Sequence, residues 1–306
     1  MPEKHYALTP KERLGYYARV INDYLSDIID RRDRDIKQLS EAMNYSLMAG
    51  GKRIRPSLVL EFNRLARGAE TFSDRALPFA GAVELLHTFS LIHDDMPCMD
   101  DDDLRRGMPT NHVVFGEATA LLAGDALLTE AFRLITAETV RNPSDCEAAA
   151  KAAACLAAHA GYKGVCGGQM IDLLLEDAEE PVDDELILKM YTMKTSDLLA
   201  ASCAIGCISA KRYDLVPEAE EFGRSFGIAF QITDDILDVT GDVRKIGKPV
   251  GSDEKKDKNT YLKYAGMEKA KEKAYEYAER AKSTVTRFRD NGLLLYLCDK
   301  VLTRDR

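Results

Sequence analysis

What this sequence lacks narrows its function before any motif is considered. Its seven cysteines (Cys98, Cys146, Cys155, Cys166, Cys203, Cys207 and Cys298) include no Cys-x-x-Cys pair. Cys203 and Cys207 lie one helical turn apart, yet no neighbouring second pair completes a zinc site. The expectation is reduced, mostly buried thiols in a cytoplasmic protein. No apolar run approaches the ~20 residues that a membrane helix needs. The first residues, Met1-Pro2-Glu3-Lys4-His5, have no basic-then-apolar leader pattern. Positive charge is short too: 42 Lys and Arg stand against 51 Asp and Glu, a formal net charge of −9, which disfavours nonspecific binding to nucleic acid. Bound cations can still invert the field locally and admit anionic substrates. Alternating β-branched runs are absent, and so is the Gly-x-x-x-x-Gly-Lys-[Ser/Thr] phosphate loop.

What remains is helix after helix. Apolar positions three or four apart predict helices over 11–30, 36–49, 76–95, 117–140, 145–160, 183–209 and 215–239. The Ala-, Glu- and Lys-rich stretch 267–289 reads as a helix by propensity. Short breaks fall at Arg67-Gly68, Arg141-Asn142-Pro143, Glu179-Glu180-Pro181 and Val216-Pro217, none resembling an interdomain linker. With 45 % hydrophobic residues in 306, a sizeable core can be buried. The fold class expected is all-α: one helical bundle with its sites between facing helices. Residues 240–260, with three glycines, a proline and many charges, form a long polar loop after an apolar helix. Such a loop is either a surface connection or a functional one.

Two carboxylate clusters stand out. Between 94 and 103 six of ten residues are aspartate: Asp94, Asp95, Asp100, Asp101, Asp102 and Asp103. A solvated acidic face is the ordinary reading of such a run. Here, however, Asp94 shares a helix face with Ser90 and His87, and Pro97 ends or kinks the helix so that later aspartates can fold back around an ion. The second cluster is Asp234-Asp235-Ile236-Leu237-Asp238, with Gln231 and Gly227 extending its stripe. Clustered carboxylates repel unless a cation sits among them. Their hard oxygens suit Mg²⁺, Mn²⁺ or Ca²⁺. An EF-hand is excluded by the missing glycine and glutamate at its sixth and twelfth positions. Mg²⁺ takes one or two carboxylates plus substrate phosphates, so two aspartate clusters without His or Cys suggest metals bridging protein to a polyphosphate. Cations to meet that anion lie in Gly50-Gly51-Lys52-Arg53-Ile54-Arg55-Pro56, in Arg105-Arg106-Gly107, at Lys194-Thr195, and at Lys248 and Lys258.

In this order and spacing, these segments, together with Gly168-Gln169-Met170-Ile171-Asp172-Leu173, make the chain resemble the trans-isoprenyl diphosphate synthases over nearly its whole length. The resemblance implies a single polyprenyl synthetase domain over 1–306, a helical bundle around a deep central cavity, and a homodimer. It implies that Asp94, Asp95, Asp100, Asp234, Asp235 and Asp238 hold three Mg²⁺ (Mn²⁺ being an alternative) against an allylic diphosphate, helped by Arg105, Lys194 and Lys248. Gln169 and Asp172 match positions near that site. The turn at Gly51 with Lys52, Arg55, His87 and Arg106 matches the site for isopentenyl diphosphate. Thr195 and Gln231 would lie near the developing carbocation, and Lys258 in the loop completes the substrate-binding set.

Product length is expected to depend on side chains below the first motif. Phe89 lies five residues before Asp94, about 7.5 Å along a helix axis. In the resembling family, an aromatic there, a small residue at the fourth position (Ser90) and two extra motif residues (Pro97-Cys98) mark bacterial farnesyl diphosphate synthases. A geranylgeranyl diphosphate synthase of the same fold is the nearest alternative, followed by a catalytically silent regulatory subunit, which commonly loses an aspartate motif. A terpene cyclase would lack Gly50–Pro56 and the second motif.

Overall fold

Thr9 opens the first helix with a reciprocal cap. Its hydroxyl accepts the Glu12 N–H at 3.3 Å, while the Glu12 carboxylate accepts the Thr9 N–H at 2.8 Å, and Pro10 occupies the first turn. Helix α1 (Pro10–Ser26) then buries Tyr17, Ile21 and Leu25, one turn apart. The structure is a computed structural model describing residues 8–176, 183–240 and 259–303. Further helices are α2 (Lys37–Leu47), α3 (Ile54–Ala66), α4 (Leu77–Asp94), α5 (Asn111–Phe115), α6 (Glu117–Arg141), α7 (Cys146–Ala160) and α8 (Val165–Glu176). They are followed by α9 (Asp184–Tyr191), α10 (Asp197–Ser209), α11 (Val216–Thr240), α12 (Tyr261–Ala265), α13 (Met267–Thr284) and α14 (Gly292–Leu302). Strands are limited to a two-residue hairpin, β1 (Leu104–Arg105) with β2 (Met108–Pro109). No helix among the described residues is long and apolar enough to cross a membrane.

Helix α4 packs along α6, α10 is sandwiched by α3 and α11, and α13 closes over α11. The centre of this all-α bundle holds Phe62, Leu85, Leu86, Leu127, Ile205 and Phe222. Close approach is built into α11: a Cβ at Gly227 would come within 2.6 Å of the Ser196 backbone. The ends of the expected helices shift. The segment expected over 11–30 ends at Ser26, and that over 267–289 ends at Thr284. The helix expected over 183–209 is divided by a π-helical turn at Thr192–Ser196. The expectation of mostly buried cysteines is corrected: Cys98, Cys146 and Cys166 are exposed, Cys155 is half-buried, and only Cys203, Cys207 and Cys298 lie in the core, all seven thiols being free.

Candidate active site

Helix α4 stops where the first aspartate cluster begins. Asp95 caps it, and the chain turns so that the Asp100 N–H donates to the Asp94 carbonyl at 2.9 Å. The predicted fold-back of the cluster is thus present. The hairpin returns Arg105 to the helix end, where its Nε meets both Asp95 oxygens at 2.7 and 2.8 Å and its Nη2 lies 3.5 Å from Asp94 Oδ2. Burial raises the Asp95 pKa; Arg105 opposes the rise. On the other side of Asp94, Lys194 Nζ stands 3.5 Å from Oδ1 and 2.6 Å from Asp172 Oδ2. That pair depends on the π turn, which carries Lys194, and on Gly168 of α8, where a Cβ would sit 2.6 Å from the Lys194 Cα. Single-turn π-bulges often mark functional sites. Asp100, Asp172 and Glu176 bring one carboxylate oxygen each within 4.8 Å of one another. Asp100 and Asp172 are sequence-predicted site residues; Glu176 is not, because nothing in α8's sequence sets that glutamate apart.

The second cluster approaches from α11. Asp235 is 3 % exposed and accepts from Gln231 Nε2 at 3.1 Å and from the Tyr191 hydroxyl. Thr195 Oγ1 donates to Gln231 Oε1 at 2.9 Å, so a chain of hydrogen bonds runs from the π turn to the buried carboxylate. Tyr191 in turn accepts the Tyr261 N–H at 2.8 Å, tying in α12. Asp234 is exposed and Asp238 half-buried. A cleft lined by Asp172, Lys194, Tyr191, Gln231, Asp235 and Asn259 opens beside the second cluster, and Lys194, which also reaches Asp94, links it to the first. Tyr191 went unnoticed in the sequence: its role depends on a partner 44 residues away, and no local pattern announces it.

The basic turn divides its cations. Gly50 and Gly51 take positive φ of 86° and 122°, and Arg53 is left-handed at 50°. The Arg106 guanidinium lies over Gly51, where a Cβ would be 2.8 Å from it, and donates to the Gly50 carbonyl. Only glycine admits that stacking. Arg53 is structural, bonded to Glu84 at 2.5 Å, Asn22 at 2.9 Å and the Leu47 carbonyl at 2.7 Å. Arg55 instead faces His87 Nε2 at 3.3 Å, and its buried Nε has no hydrogen-bond partner. Burial lowers the Arg55 pKa to about 10 despite Glu84 nearby, with Arg106 adding to the fall. Burial and the cations Arg55, Arg106, Arg105 and Arg53 hold His87 neutral, its pKa well below the usual imidazole value. Lys52 is exposed beside this group.

Phe89 is half-buried, edge-on to His93 with centroids 4.8 Å apart, and Ser90 turns its hydroxyl to the His87 carbonyl. His93 itself points to α6, its Nε2 3.0 Å from the Leu121 carbonyl. Gln169 is half-buried on α8, its Nε2 without a hydrogen-bond partner. Lys248, Lys258 and nearly all of the polar loop 240–260 lie outside the described residues.

A bundle that brings two aspartate clusters and a basic turn to one end of its helices matches a known class. The chain belongs to the polyprenyl synthetase family, whose model matches residues 36–290. Farnesyl diphosphate synthase of Bacillus subtilis is 42 % identical over 290 residues, 94 % of this chain and 95 % of its own. Geranylgeranyl pyrophosphate synthase 7 of Arabidopsis thaliana is 43 % identical over 257 residues, 83 % of this chain and 72 % of its own. The crystal structure of an FPP/GFPP synthase from Zymomonas mobilis superposes with a TM-score of 0.83 at 32 % identity, covering 96 % of this chain and 98 % of that one. Within the family this is a trans-isoprenyl diphosphate synthase close to the bacterial farnesyl type, and in reaction class a head-to-tail prenyltransferase.

Proposed function

We propose that this enzyme condenses isopentenyl diphosphate with dimethylallyl or geranyl diphosphate and releases farnesyl diphosphate. The observation carrying this reading is the paired arrangement at one cleft: Asp94 and Asp95 with Arg105 and Lys194 on one side, Asp235 with Gln231 and Thr195 on the other. The donor set fits Mg²⁺. Asp94 Oδ1 is buried without a hydrogen bond, and the carboxylates of Asp100, Asp172 and Glu176 already converge. Asp94, Asp95, Asp100, Asp234, Asp235 and Asp238 would hold three such ions, with Mn²⁺ a substitute. Bound there, divalent ions would neutralise the charge that develops on the leaving diphosphate.

The chain's own groups account for the rest. Arg105, Lys194 and, in the loop, Lys248 and Lys258 attract the allylic diphosphate, and Gln169 and Asp172 border it. Arg55, with its unfilled Nε, together with Lys52, His87 and Arg106 over Gly51, forms the seat for isopentenyl diphosphate. A neutral His87 keeps an acceptor toward Arg55 and a donor toward phosphate. Thr195 and Gln231 turn oxygens toward the allylic cation. The double bond of isopentenyl diphosphate attacks that cation, and the proton then lost goes to the departed diphosphate. The family's homodimer is part of the proposal.

Identity alone does not choose between fifteen and twenty carbons, since farnesyl and geranylgeranyl relatives match at nearly the same identity, 42 % and 43 %. Phe89, below Asp94 on α4 and packed against the core, favours the shorter product. The test is purified protein with Mg²⁺, isopentenyl diphosphate and either starter, the products dephosphorylated and sized by chromatography. Farnesol is expected, and longer alcohols from Phe89→Ala. Geranylgeraniol from the wild type, or an unchanged spectrum from the variant, would remove Phe89 as the floor.

A further inference from the structure

We propose that Cys155, His159 and Glu220 form a second metal site, for a zinc-class divalent ion, outside the diphosphate cleft. Cys155 and His159 are one turn apart on α7, and Glu220 comes from the first turns of α11. One Sγ, one imidazole nitrogen and one carboxylate oxygen lie within 4.8 Å of one another. Tetrahedral zinc holds its ligands about 3.5 Å apart, given bonds of 2.0–2.3 Å. A modest rotation of two half-buried side chains, Cys155 and Glu220, closes that difference.

The imidazole is already oriented as a ligand. His159 is 9 % exposed, its Nδ1 lies 3.2 Å from Asp197 Oδ1, and its Nε2 faces Glu220 Oε1 at 3.6 Å. A carboxylate behind the imidazole is the usual support for a metal-bound histidine: it fixes the tautomer and aims the other nitrogen. Asp197 is the positioning residue here. Thiolate, imidazole and carboxylate favour zinc over magnesium, so the ion that serves the aspartate clusters would not fill this site. Arg224 also faces the group, 3.7 Å from Asp197 Oδ1 and 3.8 Å from Glu220 Oε2. Without metal, burial opposes a charge on His159, but hydrogen bonds to Asp197, Cys155 and Glu220 outweigh it and raise its pKa to about 11. An incoming divalent ion replaces that imidazole proton and the Cys155 thiol proton. The cluster's net charge is then unchanged, and both protons pass to solvent. The ion would tie α7 to α11, with Asp197 of α10 supporting the imidazole just beyond the π turn that carries Lys194.

The experiment is a Co²⁺ titration of the full-length protein in saturating Mg²⁺, followed by absorption. One equivalent should give the near-ultraviolet thiolate-to-cobalt band, displaced by Zn²⁺. Cys155→Ser should abolish it. Cys98→Ser, which removes the exposed thiol inside the first aspartate cluster, should leave it intact. Glu220→Gln keeps the thiol and should weaken Co²⁺ at least about tenfold. No band in the wild type, a band that survives Cys155→Ser, or a band lost with Cys98→Ser would overturn the proposal. If Cys155→Ser fails to fold by circular dichroism, Glu220→Gln decides, and unchanged affinity there would overturn it equally.

Discussion

Two arginines, two residues apart, show how placement decides a side chain's role. Arg53 is spent on the fold: with Glu84 it makes a pair in which both side chains are almost wholly buried. Removing one partner of such a pair strands the other charge, so Glu84→Ala is expected to cost about 3–5 kcal/mol in denaturant unfolding. A loss under ~1 kcal/mol would mean that water reaches Arg53. Arg55 keeps an unfilled nitrogen and stands beside His87. Because His87 is held neutral in the fold, the unfolded chain gains a proton below about pH 6.5 that the folded chain does not. Stability should therefore fall as pH drops through 6.5 toward 5, by up to about 1.4 kcal/mol per unit from this group. His87→Gln should flatten that decline and raise KM for isopentenyl diphosphate. An unchanged pH slope would show that the imidazole does take a proton in the fold. The motif made Lys52, Arg53 and Arg55 visible together, but their division was not legible, since Glu84 lies on another helix.

At the scale of elements the long helical runs were the readable ones, α10 included although it is buried nearly all round, because it continues the run from α9. Helix α3 was not anticipated: Pro56 through Ala66 are all buried, Glu61, Asn63 and Arg64 included, so it has no polar face and no period to detect. Helices α8 and α14 escape for a different reason: both are short, and α8 carries two glycines inside its first turn. The aspartate clusters sit at the C-terminal ends of long helices that the sequence predicts, which is why the carboxylate side of the cleft was legible. The π turn was not, because its extra residue is absorbed inside a sequence that reads as continuous helix. It is what brings Lys194 to Asp172, with Gly168 packed against its backbone. Gly168→Ala is therefore expected to push α8 away, costing about 1–3 kcal/mol from overpacking and lowering kcat more than tenfold. Full activity with a normal melting temperature would show that the α8 contact is not needed to hold Lys194.

The whole molecule carries a net charge of −9 and nevertheless gathers its clustered carboxylates where the proposed function seats an anionic substrate. Each half of that encounter is incomplete alone: the carboxylates attract the metals but leave their remaining coordination positions to water, and diphosphate without metal faces repelling carboxylates beside Arg105 and Lys194. Together they neutralise one another, so binding should be strongly coupled. Ligands that prefer the folded chain stabilise it by mass action, and coupled ones do so more than additively. In differential scanning calorimetry, Mg²⁺ with inorganic diphosphate should raise the melting temperature by more than the sum of the separate shifts, and chelation should return it to the starting value. Asp94→Asn should reduce the joint shift most, since Asp94 Oδ1 is buried without a hydrogen bond and, among the described residues, has the Lys194 ammonium near it at 3.5 Å. Because Asp235 is engaged by Tyr191 and Gln231 in the fold, Asp235→Asn should lower both the basal melting temperature and the joint shift. Strictly additive shifts would mean that metal and diphosphate bind separately, and the bridging role assigned to the two aspartate clusters would fail with them.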